Sequence, residues 1–342
     1  MSLLELEGVE TYIGEYHILQ GVSFAVRPGA ITVLLGRNGA GKTTTLRTIM
    51  GLNPARRGRI RYKGKDITRL PPHEVARLGI GYVPEDRGLF GGLTVAQNLR
   101  VAVRGGDLDW QVRRRGPEAA TGRLEEVLEL FPDLKRAWNR PAGTLSGGQQ
   151  QMLAIGRVLL NDNDLLLIDE PSKGLAPVVV EHLGEALLKI AAKTTVLLVE
   201  QNFGLAQAVA EHCVVIDDGG TVHQGRMADL LQSRLEAMGF SVQRDDAGER
   251  IGGETGNLIA RRKGTSGSAP LLLCAHMDRV SPGTGIKPKI KDGVITSDGT
   301  TILGADDAAG LTAILEGIQR AIDQGVPMPD IEVVFTIAEE GG

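Results

Sequence analysis

The segment from Gly36 to Thr43, which reads Gly-Arg-Asn-Gly-Ala-Gly-Lys-Thr, constrains this chain more than any other stretch. It follows the apolar run 31–35, which we predict to be a buried strand, and it precedes residues 44–50, which have a helical pattern. A glycine-rich loop between a strand and a helix is the arrangement of a phosphate-binding loop, because its backbone amides and the helix N-terminus attract a phosphate. The alternative, a glycine-rich turn without a ligand, is disfavoured by this context. We therefore predict a phosphate site formed by Gly36, Asn38, Gly39, Gly41, Lys42, Thr43 and Thr44.

Acidic residues follow a second apolar run. Residues 165–168 are apolar and are followed by Asp169 and Glu170, so a buried strand delivers two carboxylates to its carboxyl end. We expect Lys42 to reach the terminal phosphates and the Thr43 hydroxyl to share a Mg²⁺ ion with Asp169. Glu170 is then placed to polarise the water that attacks the γ-phosphate.

Two further apolar runs end in polar residues that belong near such a site. Residues 80–84 precede Glu85, which we expect near Mg²⁺, the attacking water or a neighbouring domain. Residues 195–199 precede Glu200 and Gln201, and the Gln201 amide is a candidate sensor of the γ-phosphate.

From about residue 93 to 160 the pattern becomes helical and indicates a subdomain of its own. Ser146, Gly147, Gly148 and Gln149 open a helix in this region, and a serine N-cap followed by two glycines exposes amides for a second anion. Near the N-terminus, Tyr12 and Tyr16 lie in a turn between two predicted strands, where an aromatic ring either stacks on adenine or packs the turn.

Composition limits the remaining possibilities. A chain of 342 residues is long enough for two cores, and its formal net charge of −4 gives no indication of nucleic-acid binding. No apolar run approaches the ~20 residues of a membrane span, and residues 1–5 lack the features of a signal peptide, so we expect a cytoplasmic protein. Cys213 and Cys274 lie in apolar runs and are predicted to be free, buried thiols.

In this order, the segments resemble the ATP-binding subunit of ABC transporters over residues 1–232. The sequences Tyr-Val-Pro-Glu at 82–85, Glu-Pro-Ser at 170–172 and Val-Glu-Gln-Asn at 199–202 are similar to the ATPase subunit of branched-chain amino acid importers. In that branch Glu85 stands where most relatives have glutamine, and Gln201 where most have histidine. In the family, the aromatic residue that stacks on adenine directly precedes a glycine. Here Ile13 precedes Gly14, so we assign the adenine contact to Tyr12, one position earlier in the sequence.

The resemblance implies a P-loop NTPase fold of the ABC type, an α/β fold with a mixed core sheet, an antiparallel β-subdomain and a helical subdomain. It implies ATP and Mg²⁺ as cofactors and a second ATP-binding subunit as partner, identical or not, whose Ser146 and Gly148 meet the γ-phosphate held by Lys42. It also implies transmembrane permease subunits and a place on the inner face of the cell membrane.

Residues 233–342 have a different character. The apolar run 271–275 ends in His276 and Asp278, Asp306 precedes a helix, and residues 331–337 lead to Glu339 and Glu340. This segment resembles the catalytic domain of M20-type, peptidase T-like metallopeptidases. The resemblance implies His276, Asp306 and Glu340 as zinc ligands, Asp278 as the residue that orients His276, and Glu339 as general base.

The C-terminal match is incomplete, because residue 308 is alanine where relatives have lysine and no histidine follows His276. Each metal would keep two protein ligands, whereas catalytic zinc sites normally have three. We therefore expect an ATPase subunit that powers branched-chain amino acid import, with an inactive peptidase-like tail. The alternatives are a zinc-dependent metallohydrolase fused to a nucleotide-binding module, and an artefactual fusion of two genes.

Overall fold

The structure is a computed structural model that describes residues 2–103, 122–210, 212–247, 256–277, 289–291, 294–296 and 308–336. It divides into two compact units, Met1–Gln224 and Gly225–Gly342. From the sequence we placed the change of domain at residue 232. The helix Met227–Ala237 spans that position, and its Leu231 and Leu235 lie in the hydrophobic core of the second unit.

The first unit begins with strands of an antiparallel sheet. Its strands are β1 (Leu4–Ile13), β2 (Tyr16–Val26), β4 (Ala55–Tyr62) and β5 (Lys65–Asp66), in the order β2-β1-β4-β5. In the register, Leu4 lies opposite both Val26 and Tyr62, and all three side chains are buried. Alternating apolar residues therefore give this sheet one face that packs into the core.

A six-stranded sheet forms the centre of the first unit. It contains β3 (Ile31–Leu35), β6 (Ile80–Val83), β7 (Leu165–Asp169), β8 (Thr195–Val199), β9 (His212–Asp217) and β10 (Gly220–Arg226), in the order β10-β9-β3-β8-β7-β6. The pairs β9/β3, β3/β8, β8/β7 and β7/β6 are parallel. Every residue of β3, β7 and β8 is buried, which explains why these strands are continuous apolar runs rather than alternating ones. Because the strands run parallel, the loops after β3, β6, β7 and β8 leave the same edge of the sheet.

The first unit also contains helices. They are α1 (Lys42–Ile49), α2 (Pro72–Arg77), α3 (Val95–Ala102), α4 (Gly122–Leu130), α5 (Pro132–Arg136), α6 (Gly147–Leu159), α7 (Pro177–Ala191) and α8 (Phe203–Val209). Helices α3, α4 and α5 pack against α6, in the region predicted to be a helical subdomain. A Cβ added at Gly156 of α6 would lie 3.0 Å from Val127 of α4, so the glycine permits this close packing.

The second unit contains α9 (Met227–Ala237), β11 (Ser241–Arg244), β12 (Leu258–Arg262), β13 (Leu271–His276), β14 (Lys289–Lys291), β15 (Val294–Thr296), α10 (Ala308–Asp323) and β16 (Ile331–Thr336). Its main sheet has the order β11-β12-β16-β13, and β14 pairs with β15. Strands β13 and β16 are parallel and α10 lies between them in sequence, as in a crossover unit.

The edge position of β13 contradicts one sequence prediction. Cys213 is buried as predicted, but Cys274 is exposed, and Leu272 on the same strand is 60% exposed. We interpreted the apolar run 271–275 as a strand buried on both faces, whereas β13 is an edge strand of its sheet. No helix among the described residues has the length and apolar character needed to cross a membrane.

Candidate functional site

The glycine-rich loop lies between β3 and α1, as predicted. A Cβ added at Gly36 would lie 2.3 Å from the carbonyl oxygen of Ile216, and Gly41 has φ 104°, a conformation that L-residues rarely adopt. Lys42 is buried, and its Nζ donates to the carbonyl oxygens of Gly36 at 2.9 Å and Arg37 at 3.1 Å. The loop therefore holds its lysine in place through its own backbone.

A cavity of about 310 Å³ opens beside this loop. Its lining comprises Ile18, Asn38, Gly39, Gly41, Lys42, Thr43, Thr44, Glu85, Glu170 and Lys173. Residues predicted from three separate sequence segments thus meet at one cavity. Its size is at the lower end of the range for small-molecule sites.

Asp169 lies next to the hydroxyl with which we expected it to share Mg²⁺. Thr43 Oγ1 donates to Asp169 Oδ1 at 3.1 Å, and the Tyr82 hydroxyl donates to Asp169 Oδ2 at 3.4 Å. The pKa of Asp169 is raised to about 6, mainly by burial and in part by the charges of Glu170 and Glu85, although the hydrogen bonds from Thr43 and Tyr82 act to lower it. Thr43 and Asp169 thus place a hydroxyl oxygen and a carboxylate oxygen side by side, and oxygen atoms of this kind are the ligands that Mg²⁺ prefers. The site also disfavours an uncompensated negative charge, as expected for a carboxylate that binds a cation.

Glu170 forms the centre of a charged cluster. Its φ of 44° lies in the left-handed region, an uncommon conformation for a non-glycine residue that is concentrated at functional sites. Gln201 Nε2 donates to Glu170 Oε1 at 2.5 Å, and Lys42 Nζ lies 3.7 Å from the same oxygen. Lys173 pairs with Glu85 at 2.5 Å and with Glu170 Oε2 at 3.6 Å, and so connects the two predicted carboxylates.

Residues 146–149 form the start of α6, away from the lining of this cavity. The Ser146 hydroxyl accepts from Gln149 N at 3.3 Å, while Ser146 N donates to Gln149 Oε1 at 3.2 Å, a reciprocal cap that fixes the helix start. A Cβ at Gly148 would lie 2.5 Å from Val179 Cγ1 of α7, so this glycine is required by packing. Gly147 lies close to Arg87, which donates to the side chains of Gln150 and Gln151.

Tyr12, for which the sequence predicts an adenine contact, makes two ring contacts within its own chain. Its ring stacks on His17 with centroids 4.2 Å apart, and the guanidinium of Arg56 lies 4.5 Å from the ring centroid. These two groups occupy the ring faces that adenine stacking requires, because both contacts are made over the face. Tyr16, the other aromatic of this turn, is 77% exposed.

Three residues of this region were not assigned a role from the sequence. Tyr82 contacts Asp169, Lys173 joins Glu85 to Glu170, and the buried Glu200 accepts hydrogen bonds from Ser172, Gln201 and Asn202. Of these three residues, only Glu200 could have been identified from the sequence, because it follows a predicted buried strand at the edge of the sheet where ligands bind.

The predicted zinc ligands are mostly outside the described residues. His276 is buried at the end of β13, opposite Thr336 of β16. Asp278, Asp306, Glu339 and Glu340 fall in segments that the structure does not describe. Within the described part of the chain, no group of three or more His, Cys, Asp and Glu side chains is arranged to hold a metal.

Comparison with known proteins decides the family of the first unit. Residues 19–173 match the family model described as ABC transporter. The chain is 42% identical over 231 residues to the high-affinity branched-chain amino acid transport ATP-binding protein BraG of Pseudomonas aeruginosa, covering 67% of this chain and 95% of that protein. This chain belongs to the ABC transporter ATP-binding proteins. A second relative is the probable branched-chain amino acid transport ATP-binding protein LivF of Archaeoglobus fulgidus, which is 36% identical over 64% of this chain and 89% of that protein.

Solved structures confirm the predicted ABC-type ATPase fold. A nucleotide-free ATP-binding cassette from an ABC transporter superposes with a TM-score of 0.58 at 28% identity, over 68% of this chain and 94% of that one. A dimeric post-hydrolysis cassette bound to ADP and Pi gives a TM-score of 0.57 at 26% identity, over 66% of this chain and 98% of that one. The first unit is therefore an ABC ATPase cassette.

The second unit matches a different family. Residues 257–342 of this ABC protein match the model described as Peptidase family M28, not the M20 family that the motifs resembled. The comparison supports a peptidase-like fragment after the cassette and corrects the more specific M20 assignment.

Proposed function

We propose that this chain is the ATP-hydrolysing subunit of an importer for branched-chain amino acids, with residues 1–232 as its ATPase domain. The observation that carries the proposal is the 42% identity with a branched-chain amino acid transport ATP-binding protein over 95% of that protein's length. The geometry of the cavity supports it, because a phosphate loop, a hydroxyl–carboxylate pair and a hydrogen-bonded glutamate converge there.

In this proposal the β- and γ-phosphates of ATP lie on the amides of residues 36–44, and Lys42 turns from its backbone partners to the phosphate oxygens. Thr43 and Asp169 hold Mg²⁺, which when bound neutralises charge on the transferred phosphoryl group. Glu170 accepts a hydrogen bond from the attacking water and orients it towards the γ-phosphorus. Gln201 holds the Glu170 carboxylate, and Glu85 completes the acidic rim of the cavity.

The site is completed by a second ATP-binding subunit. The cap uses the amides of Ser146 and Gln149 and leaves those of Gly147 and Gly148, in the first turn of the helix, for an anion; yet residues 146–149 do not line the cavity of their own chain as far as the structure describes it. A head-to-tail dimer places this helix start of one subunit against the γ-phosphate held by the other. We further propose permease subunits as membrane partners and a position on the inner face of the membrane, as the relatives' role in transport suggests.

A mixing experiment tests this composite site. Lys42→Ala removes the phosphate ligand, whereas Ser146→Asp keeps a good helix cap but opposes the γ-phosphate with a negative charge. Each variant alone should lack Mg²⁺-dependent ATPase activity. Mixed in equal amounts, they form heterodimers with one intact site, and we expect recovery of roughly a quarter of wild-type activity if the symmetric dimers reassort randomly. A mixture as inactive as its components would contradict the shared site.

A second function is favoured only by the match of residues 257–342 to a peptidase family. In that alternative His276, Asp306 and Glu340 hold zinc, Asp278 orients His276, and Glu339 acts as base. The parallel strands β13 and β16 end side by side at His276 and Thr336, and Asp278, Glu339 and Glu340 follow these two strand ends in sequence. Peptide cleavage by the purified chain with added zinc or manganese, lost in Glu339→Ala, would establish it. We expect no cleavage, because too few ligands are available for a catalytic zinc.

A further inference from the structure

Glu200 is a buried carboxylate that joins two loops of the ATPase site. It directly follows β8 and is 1% exposed. Its Oε1 accepts from Ser172 N at 3.0 Å, and its Oε2 accepts from Ser172 Oγ at 2.9 Å, Gln201 N at 3.0 Å and Asn202 N at 3.1 Å. A buried charge is costly unless it is hydrogen-bonded, and these four donors supply the compensation.

The two loops that Glu200 joins carry Glu170 and Gln201. Ser172 lies in the loop after β7, two residues beyond Glu170, and Gln201 lies in the loop after β8. The backbone amide of Glu170 donates to the carbonyl oxygen of Val199 at 2.9 Å, and the Gln201 side chain donates to the Glu170 carboxylate. The connections close a ring that runs from Glu170 through Ser172, Glu200 and Gln201 back to Glu170.

We propose that Glu200 is a positioning residue for ATP hydrolysis, which holds Gln201 against Glu170 and passes movement of the Ser172 loop to that pair. The inference rests on the proposed function, in which Glu170 orients the attacking water. Glu200 does not line the phosphate cavity among the residues described there, so it acts through Gln201 rather than on the nucleotide. A displacement of a reacting group by about 1 Å is enough to cost up to about 100-fold in rate.

An ionised carboxylate is suited to this place, because both of its oxygens accept hydrogen bonds. In Glu200→Gln the amide oxygen can replace Oε2 and keep three donors, but the NH₂ group then faces the backbone N–H of Ser172. This substitution therefore removes one specific hydrogen bond, from Ser172 N, while the contacts with Ser172 Oγ, Gln201 N and Asn202 N survive.

The test is a double-mutant cycle of Glu200→Gln and Gln201→Ala in the full chain, read as steady-state ATPase kinetics. We expect Glu200→Gln to lower kcat about 10-fold, with the KM for ATP changed less than about twofold, as for an interaction needed only in the transition state. In the Glu200→Gln background, Gln201→Ala should have little further effect. Multiplicative effects of the two substitutions, or a normal kcat in folded Glu200→Gln protein, would overturn the proposal.

Two further variants keep the test decisive. Ser172→Ala removes the hydroxyl donor but keeps the backbone donor, so it should give a smaller loss of kcat that is also absent in the Gln201→Ala background. Thr195→Val, at the other end of β8, removes a buried acceptor of Gly29 N and should leave kcat unchanged. If wild-type protein shows no Mg²⁺-ATPase activity that depends on Glu170, the proposed function fails; if it does and the cycle is multiplicative, only the role of Glu200 fails.

Discussion

Gln201 donates a hydrogen bond from its side-chain amide to the carboxylate of Glu170, with 2.5 Å between Nε2 and Oε1. The two residues follow different strands, β8 and β7, which are parallel neighbours in the central sheet. Glu170 also adopts a left-handed backbone conformation that directs the chain sharply away from β7. The Gln201 side chain and the backbone conformation of Glu170 thus both fix the position of this carboxylate.

Glu170→Gln should abolish ATP hydrolysis and leave ATP binding intact. The amide has nearly the same shape as the carboxylate but is a much weaker base towards the attacking water, so we expect kcat to fall by about 100-fold or more. ATPase assays and equilibrium binding of ATP with Mg²⁺ measure the two effects separately. Unchanged turnover would contradict the role of Glu170, and lost binding would indicate that the substitution disturbs the cavity itself.

Lys173→Ala should increase the affinity of the site for Mg²⁺. Lys173 places a positive charge between Glu85 and Glu170, the two carboxylates whose charges act on the Asp169 carboxylate that we expect to bind the ion. Since Lys173 is mostly exposed, screening limits the effect, and we expect a two- to fivefold decrease in the half-saturating Mg²⁺ concentration. Magnesium titrations of ATPase activity measure it. Lys173→Arg, which keeps the charge, is the matched control, and an equal shift in both variants would rule out charge as the cause.

The two tyrosines of the β1–β2 turn can be distinguished by nucleotide specificity. Tyr12 already contacts His17 and Arg56 over its ring, whereas Tyr16 is 77% exposed. If one of them stacks on adenine, Tyr16→Ala should weaken ATP binding by about 10-fold, the loss of about 1–2 kcal/mol of stacking. Tyr12→Ala should instead lower stability with a smaller effect on ATP affinity. Binding of a triphosphate without a base is the control, since neither substitution should change it.

The phosphate site could be predicted from sequence because its parts are local patterns. Gly36 to Thr43, and the acids after the run 165–168, each combine a strand signal with the residue types that phosphate and Mg²⁺ require. Parallel strands then place the ends of β3, β7 and β8 at one edge of the sheet, so the meeting of Thr43 with Asp169 follows from topology.

The remaining contacts depend on pairings between distant residues that carry no local signal. Tyr12 lies opposite His17 only because the β1–β2 register shifts between Thr11 and Tyr12, and no sequence pattern reveals such an irregularity. The exposure of Cys274 depends on the position of β13 at the edge of its sheet. Likewise, the apolar residues of α9 carry no sequence signal that assigns them to the core of the second unit rather than to that of the first.

Phe335→Ala should destabilise the second unit strongly. Phe335 is fully buried in β16, opposite Leu258 and Ala275 on the two neighbouring strands. Truncation of a buried phenylalanine typically costs about 3–5 kcal/mol of unfolding free energy. Hydrogen exchange of peptides covering β12 and β16 should therefore show a loss of protection. Val326→Ala, at a position that is 47% exposed, is the control and should change stability by no more than about 0.5 kcal/mol. Equal protection in both variants would show that this core does not stabilise the unit.

The stability contribution of Glu200 should depend on pH in a defined direction. Burial raises the pKa of Glu200 above its usual value, although hydrogen bonds from Ser172, Asn202 and Gln201 lower it in part. An acid whose pKa is higher in the folded state favours folding fully below its unfolded pKa of about 4.3, and this contribution is lost as the pH rises through the folded pKa. The unfolding free energy of the wild type should therefore fall, relative to that of Glu200→Gln, as the pH rises from about 4.3 towards 7, with a slope of at most about 1.4 kcal/mol per pH unit. Urea unfolding at a series of pH values without nucleotide or Mg²⁺ measures the difference. Thr195→Val is the control: it keeps Glu200, so its unfolding free energy should differ from that of the wild type by the same amount at every pH. If the unfolding free energy of the wild type minus that of Glu200→Gln stays constant or increases with pH, the raised pKa is contradicted.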